Sequence, residues 1–220
     1  MNTKKITAFF GGSFDPPHNG HLGVASGALN SGLCSKVVWV PAWSQPHKQD
    51  KKAAPFCHRL AMVDLLISEV ENMSSSDLEE RIKLQPSYTI EVLKYFAAEL
   101  PPDEEPALLI GADSLLALHT WHKAEELAET YRIITYPRPG KELTLSSLLP
   151  HWSEKTAEKL LSGVINGAFF EISSTGIRNT MAKNTNAGNI NNEDKNLFNT
   201  KIEDYCRKHG LYLKEESKDL

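Results

Sequence analysis

The chain has 220 residues, and 24 lysines and arginines against 28 aspartates and glutamates give a net charge of −4. A chain of this length can bury a sizeable core, but it lacks the basic surface that broad nucleic-acid binding needs. The three cysteines, Cys34, Cys57 and Cys206, stand far apart, which predicts reduced thiols rather than disulfides or a zinc site. No apolar run is long enough to cross a bilayer. We therefore expect a cytoplasmic protein with no membrane and no nucleic-acid partner.

Residues 11–21 join a short apolar run at 6–10 to a helix predicted over 21–33. A strand, a glycine turn and a helix in this order form an anion-binding unit, because glycines admit a ligand and the helix N-terminus favours negative charge. His18 and His21 are three residues apart, so both rings face one side of a first helical turn. Either histidine alone would more often be a surface or packing residue. A zinc pair is the weaker interpretation, because no third ligand lies at a suitable spacing.

Further apolar runs alternate with helical patterns along the chain. Strands are predicted over 36–41, 78–85, 107–110, 131–136 and 169–172, with a serine-rich turn at 72–77. Helices are predicted over 57–70, from 86–89 to 100, 119–129, 153–161 and 199–209. Ser87 or Thr89 would cap the second of these, and Gly210 would end the last. The alternation predicts an α/β fold with a doubly wound parallel sheet, as one domain over 1–220 with a small helical part at about 175–215.

The polar clusters of the sequence all follow predicted strands. They are residues 11–21, 43–48, 86–89, 111–113 and 173–178. Ligands of doubly wound sheets bind beyond the carboxyl ends of the strands, at the point where the strand order reverses. We therefore expect these clusters to converge on one edge of the sheet.

Five segments together resemble one enzyme family. GGSFDPPHNGHL at 11–22, PHK at 46–48, PSYTIEVL at 86–93, IGADSLLALHTW at 110–121 and ISSTGIR at 172–178 stand in the order found in bacterial nicotinate-nucleotide adenylyltransferases, of the HxGH nucleotidylyltransferase superfamily. The resemblance implies a Rossmann-like fold and adenylyl transfer from ATP to nicotinate mononucleotide, giving deamido-NAD and pyrophosphate in NAD biosynthesis. Such a transfer needs no covalent protein intermediate, so catalysis rests on positioning and charge neutralisation.

The resemblance also implies a set of site residues. His18, His21 and Arg178 would be catalytic. The ATP-binding residues would be Gly11, Gly12, Ser13, Phe14, Lys48, Gly111, Asp113, Ser173, Ser174 and Thr175. The nicotinate nucleotide would be bound by Ser87, Tyr88, Thr89 and Trp121, with Trp121 stacked on its ring. Mg²⁺ would be held mainly by the ATP phosphates, so no protein metal ligand is named. ATP and nicotinate mononucleotide are thus the expected partners, and homo-oligomerisation is left open.

Several of these residues also have a simpler interpretation. Asp113 could cap a helix, and Trp121 could belong to the core. Lys48 could be a solvated side chain of a lysine-rich loop. Residues 173–178 alone predict a serine or threonine helix cap followed by a solvated arginine, and Arg59 at a helix start is commonly solvated as well.

The activity has alternatives too. The acceptor could be nicotinamide mononucleotide or phosphopantetheine, the transfer could be of the cytidylyl type, or the chain could be a nucleotide-binding module without turnover. The choice of acceptor depends on residues 86–89 and 110–122, where His122 follows Trp121 in place of the tyrosine common in the family. Between residues 184 and 196 an asparagine-rich segment has no assigned role.

Overall fold

The computed structural model describes residues 4–43, 53–165, 173–183 and 199–213, which form a parallel sheet with helices against both faces. The strands are β1 (Lys5–Gly12), β2 (Lys36–Pro41), β3 (Met73–Ser75), β4 (Glu104–Gly111) and β5 (Arg132–Tyr136). The helices are α1 (Asn19–Asn30), α2 (Phe56–Ile67), α3 (Leu78–Ile82), α4 (Thr89–Glu99), α5 (Ala112–Ala117), α6 (Ala124–Thr130), α7 (Leu145–Leu148), α8 (Glu154–Ser162), α9 (Ser174–Lys183) and α10 (Thr200–Lys208), with a 3-10 turn at Leu118–Thr120.

The strand order is β3-β2-β1-β4-β5, and each pair of neighbours is parallel. The chain builds outward from β1 to β3 and then returns to β4 on the other side of β1. At such a reversal the connections diverge and leave a crevice beyond the carboxyl ends of the two strands. Those ends carry Gly12 and Gly111. The predicted α/β, doubly wound parallel sheet is confirmed.

Alternate residues of β1 supply two cores, as expected for a strand that is covered on both faces. Phe10 belongs to the core that includes α1, α2, α9 and α10, and packs against Trp39 of β2 with ring centroids 5.0 Å apart. Phe9 belongs to the opposite core, which includes α4, α5, α6 and α8, and meets Phe96 at 5.4 Å. Each such burial stabilises the fold by about 1.5–3 kcal/mol, so β1 is fixed firmly up to its last residues.

The strand predicted over residues 78–85 is wrong. Residues 78–82 form α3, which buries Leu78 and Glu79, and the third strand lies earlier, in the segment predicted as a turn. β3 has three residues and is defined by its pairing with β2, where Met73 stands opposite Val37. A strand this short carries no readable period, and its pairing depends on a partner distant in sequence.

The helices α9 and α10 pack on the same face of the sheet as α1 and α2. Asn199 caps α10 by accepting a hydrogen bond from the Lys201 N–H at 3.0 Å. Gly210 has a φ of 63° and Leu211 N–H donates to Cys206 O at 2.9 Å, so the predicted helix end at Gly210 is confirmed. The predicted strand at 169–172 and the asparagine-rich segment lie outside the described residues. Within the described ranges, no helix is long and apolar enough to cross a membrane.

Candidate active site

Two glycines at the carboxyl end of β1 leave the backbone open to a ligand. A Cβ on Gly11 would stand 2.7 Å from Phe9 Cε1, and a Cβ on Gly12 would stand 2.9 Å from Phe14 Cζ, closer than real Cβ contacts come. The two directions point to opposite faces of the sheet, because successive residues of a strand alternate. Glycine therefore keeps two aromatic rings in place and leaves the peptide groups uncovered on both sides.

The ring of His18 caps α1. Its Nδ1 accepts a hydrogen bond from the backbone N–H of His21 at 3.3 Å. Because Nδ1 is the acceptor, neutral His18 carries its proton on Nε2, where it can donate to a ligand. The His21 ring stacks on His18 with centroids 3.7 Å apart, and its buried Nδ1 has no hydrogen-bond partner among the described residues. The pair thus presents a donor and a polar atom that still needs a partner.

Both imidazoles are neutral at pH 7. Burial, followed by the positive charge of Arg138, lowers the pKa of His18 from its usual 6.5 to about 4. Burial, His18 and Arg138 together lower the pKa of His21 well below its usual range. An incoming phosphate meets neutral N–H donors and a nearby guanidinium, which stabilise its negative charge.

We expect the free energy of unfolding to decrease as the pH falls from 6.5 towards 4. In this window the unfolded chain has protonated its histidines, whereas folded His18 and His21 are still neutral. The unfolded state then binds more protons, so stability is lost with falling pH and regained above 6.5. Thermal unfolding at several pH values across the window measures the slope.

His18→Asn isolates the contribution of one ring, because asparagine can still cap α1 but does not titrate. The melting temperature of this variant should depend less steeply on pH than that of the wild type. The matched control is His151→Asn, which removes an exposed ring stacked on His119 at 3.5 Å and should keep the wild-type slope. Equal slopes in all three proteins would contradict the neutral state of the pair.

A cavity of about 350 Å³ opens beyond β1 and β4, and we call it the histidine cavity. Its polar groups are mainly hydrogen-bond donors: imidazoles, hydroxyls, a guanidinium and the uncovered glycine backbone. It is lined by Phe10, Gly11, Gly12, Phe14, His18, Gly20, His21, Val24, Gly111, Tyr136, Arg138, Ser173, Ser174 and Thr175. Such a set of donors suits a polyanion rather than a cation.

A second cavity of about 210 Å³, the tryptophan cavity, lies on the other side of the same glycines. It is lined by Phe9, Gly11, Gly12, Ala42, Glu79, Ser87, Thr89, Val92, Leu108, Leu109, Ile110 and Trp121. Gly11 and Gly12 belong to both cavities. Two ligands bound side by side would therefore meet over these two residues.

Glu79 closes one side of the tryptophan cavity. Its Oε2 accepts hydrogen bonds from the Trp43 N–H and from the Ser87 hydroxyl, both at 3.1 Å. Burial raises the pKa of this carboxyl group. Neither Ser87 nor Thr89 caps α4, contrary to expectation: the N-cap is Tyr88, whose side chain makes no capping bond. The Ser87 hydroxyl is engaged by Glu79 instead. The Glu91 N–H already donates to Tyr88 O at 3.0 Å, so the amides of Thr89 and Ile90 are left for another acceptor.

The chain is similar to known proteins in both sequence and fold. The profile of the family described as cytidylyltransferase-like matches residues 9–180. A probable nicotinate-nucleotide adenylyltransferase of Symbiobacterium thermophilum is 36% identical over 215 residues, which cover 96% of each chain. One of Synechococcus sp. (strain JA-3-3Ab) is 37% identical over 205 residues, 92% of each chain.

The chain belongs to the nicotinate-nucleotide adenylyltransferase family. A solved structure, Plasmodium falciparum nicotinic acid mononucleotide adenylyltransferase complexed with NaAD, has the same fold with a TM-score of 0.71. It is 24% identical, over 94% of this chain and 97% of that chain. The enzyme is thus a nucleotidyltransferase, and its two cavities can be compared with the residues predicted for its substrates.

Most of the predicted ATP-binding residues lie around the histidine cavity, but Asp113 and Ser13 are not among its lining. The Asp113 carboxylate pairs with Arg138 at 2.9 Å and with Lys141 at 3.4 Å. The helix-cap alternative for Asp113 is wrong, because the N-cap of α5 is Gly111 and Asp113 lies in the first turn. Lys48 lies outside the described residues.

Arg178 of α9 is not solvated, because it is bound to Asp15 in the loop between β1 and α1, and 17% of its side chain is exposed. Its guanidinium donates to the carbonyl oxygen of Asp15 and, at 3.1 Å, to Thr175 Oγ1. The Ser174 hydroxyl donates to Pro16 O at 2.9 Å. The predicted helix cap is present as well: Ser173 Oγ accepts a hydrogen bond from the Gly176 N–H at 3.1 Å. The segment docks α9 on the loop that carries the histidines.

Of the residues predicted for the nicotinate nucleotide, Ser87, Thr89 and Trp121 line the tryptophan cavity. Trp121 also packs against the core of its face, as the simpler interpretation expects, and its stacking on the nicotinate ring stays a prediction. Tyr88 is 41% exposed and is stacked on His122 with centroids 4.0 Å apart. It is not part of the cavity lining.

Sequence reasoning missed three residues of the site. Arg59 is 2% exposed and donates to the carbonyls of Ala54, Ser13 and Ala42, at 3.0, 2.8 and 2.7 Å, so it ties three segments together and is not solvated. Glu79 was not identified because residues 78–85 were predicted as a strand, whereas residues 78–82 form α3. Arg138 follows the end of β5, and the rule that polar residues after strands meet at one edge would have found it.

Proposed function

We propose that the enzyme binds ATP in the histidine cavity and nicotinate mononucleotide in the tryptophan cavity. Adenylyl transfer then takes place over Gly11 and Gly12 and yields deamido-NAD and pyrophosphate. One observation carries this assignment: two separate cavities, one rich in hydrogen-bond donors and one with an aromatic wall, share the same two glycines.

In this reaction a phosphate oxygen of the mononucleotide attacks the α-phosphorus of ATP. A new P–O bond forms as the bond to the β-phosphate bridging oxygen breaks, and pyrophosphate leaves with the electron pair. His18, through Nε2–H, and His21 donate to the phosphates as charge builds up. The hydroxyls of Ser173 and Thr175 only accept in the described hydrogen bonds, so their protons can be donated to phosphate oxygens. Arg178 lies outside the lining of the histidine cavity and is bound to Asp15 O and Thr175 Oγ1, so it would reach the far phosphates by exchanging one of these bonds. The guanidinium that lines the cavity is that of Arg138. The neutral rings act as donors and not as general bases, since no proton has to be removed from the attacking phosphate.

Mg²⁺ is part of the proposal as an ion that enters with ATP. Among the described residues no group of three or more histidines, cysteines, aspartates or glutamates is placed to hold a metal ion. The donors of the histidine cavity suit phosphate oxygens, and these in turn coordinate Mg²⁺ together with water. The ion would neutralise charge on the leaving pyrophosphate.

We also propose a cytoplasmic location. Cys34, Cys57 and Cys206 are all free, as is usual in a reducing compartment.

The acceptor assignment rests on the start of α4. Its first-turn amides lack a side-chain cap beside the tryptophan cavity, and the positive end of the helix dipole favours the nicotinate carboxylate over a neutral carboxamide. Glu79 opposes this preference because of its own charge, but its Oε2 is engaged by two donors. The helix dipole is thus expected to outweigh the charge of Glu79, so that nicotinate mononucleotide binds better than nicotinamide mononucleotide.

With ATP and Mg²⁺, the purified enzyme should form deamido-NAD from nicotinate mononucleotide with a kcat/KM about tenfold or more above that for NAD from nicotinamide mononucleotide, as a difference of one charge-assisted hydrogen bond predicts. Pyrophosphate release and chromatography of the dinucleotide measure both rates. A preference for nicotinamide mononucleotide would mean that Glu79 dominates the pocket.

The same assay separates the other activities. Phosphopantetheine as acceptor, or CTP as donor, should release pyrophosphate at background rates. No pyrophosphate with either pyridine nucleotide would overturn the enzyme assignment and leave a binding module.

A further inference from the structure

Asp15, in the loop between β1 and α1, is held from several sides. It is 4% exposed, and its Oδ1 accepts hydrogen bonds from Tyr212 Oη at 2.6 Å and from the Ala54 N–H at 3.0 Å. Its Oδ2 lies 3.7 Å from the Arg178 guanidinium, which also donates to the Asp15 carbonyl. A buried carboxylate needs such donors, because leaving it without them would cost its full desolvation.

Tyr212 reaches this carboxylate from the far end of the described chain. It follows Gly210, which ends α10, and its own backbone has a φ of 62°, a conformation that residues with bulky side chains rarely adopt. Burial and the neighbouring Asp15 raise the pKa of the Tyr212 hydroxyl, so it remains a hydrogen-bond donor. Strained backbone of this kind persists where surrounding contacts impose it.

We propose that Tyr212 is a positioning residue for adenylyl transfer: its hydroxyl holds Asp15 and thereby fixes the loop that presents His18 and His21. This inference rests on the proposed assignment of the histidine cavity to ATP. Tyr212 touches neither cavity, and acts through the loop.

The hydrogen bond between Tyr212 and Asp15 affects the histidines because Asp15 and His18 are close together in the chain. Asp15 is three residues before His18, whose ring caps α1 and stacks on His21. Arg178 is bound to the same aspartate, so a shift of Asp15 displaces catalytic groups from two elements. In the tryptophan cavity, Glu79 is hydrogen-bonded to Ser87 and to the Trp43 N–H, and not to Asp15 or Tyr212.

Tyr212→Phe removes only the hydroxyl and keeps the ring. Its kcat/KM for ATP should fall about tenfold or more, because small displacements of catalytic groups carry large rate penalties. The KM for nicotinate mononucleotide should change by less than about twofold, since that cavity is intact. The matched control is Tyr205→Phe on α10, which removes a hydroxyl 2.9 Å from His58 Nδ1 and should keep wild-type kinetics.

A readout apart from activity is amide hydrogen exchange. The segment from Ser13 to His21 should exchange faster in Tyr212→Phe than in the wild type or in Tyr205→Phe, with the sheet still protected. In addition, Asp15→Ala and Tyr212→Phe should be non-additive in kcat/KM for ATP when combined, because each removes one partner of the same hydrogen bond.

Three results would overturn the inference: kinetics equal to those of Tyr205→Phe, unchanged exchange in the loop, or a loss of activity that only follows the fraction of unfolded protein. If Tyr212→Phe alone fails to fold, Asp15→Ala, which removes the acceptor of the same bond, decides the question through its exchange pattern. A wild-type enzyme without adenylyl transfer would refute the proposed function instead, so the two failures are distinguishable.

Discussion

His18→Asn should lower kcat about hundred- to thousandfold while the protein stays folded, because it removes the Nε2–H that in the proposed reaction donates to the developing phosphate charge. Asparagine can still accept the hydrogen bond from the His21 N–H that His18 Nδ1 accepts in the wild type. The stability loss is therefore small, whereas His18→Ala would also remove the cap of α1, at a cost of about 1 kcal/mol. Steady-state kinetics with both substrates, together with thermal unfolding at pH 7, measure the two effects separately.

The matched control for this experiment is again His151→Asn, which leaves both cavities unchanged. It should have wild-type kcat and KM values. Turnover near the wild-type level in His18→Asn would remove this ring from the catalytic assignment. A large loss of stability with normal kcat per folded molecule would leave His18 as a helix cap alone.

Gly12→Ala and Gly11→Ala should impair different substrates, although the two residues are neighbours. The new Cβ at position 12 collides with Phe14, which lines the histidine cavity, and the new Cβ at position 11 collides with Phe9, which lines the tryptophan cavity. Each ring has to move at a cost of about 1–3 kcal/mol, and the cavity on its side changes shape. Gly12→Ala should therefore raise KM mainly for ATP, and Gly11→Ala mainly for nicotinate mononucleotide, with kcat/KM for that substrate about hundredfold lower.

The two alanine variants serve as controls for each other, because they add the same methyl group one residue apart. Initial rates with one substrate varied and the other saturating give each KM. Equal changes of both KM values in both variants would mean that the cavities do not hold separate substrates. Unchanged values would mean that neither glycine lies under a phosphate.

Where local chemistry decides the structure, the sequence was sufficient. The glycines at the end of β1, the pair His18 and His21, and Gly111 at the end of β4 all lie where the pattern indicated. Each depends on neighbours a few residues away and on the rule that parallel strands end at one edge. No local pattern specifies β3, which forms by pairing with β2.

Residues that act through distant contacts could not be predicted in this way. Arg59 stands at a helix start, where arginines are commonly solvated, and its burial follows from three carbonyls that other segments bring to it. Glu79 and Ser87 meet because α3 contacts α4, whereas residues 78–85, of mixed polarity, were predicted as a strand. Asp15 and Tyr212 are 197 residues apart, and no spacing rule connects them.

The sharing of Gly11 and Gly12 by both cavities has a consequence for the release of products. In the proposed reaction each substrate occupies one cavity, but the dinucleotide formed from them has to occupy both at once. Pyrophosphate can depart while the dinucleotide remains, and a retained dinucleotide excludes ATP and the mononucleotide together. Accumulated product would thus compete with both substrates, so that synthesis slows when the dinucleotide is not consumed.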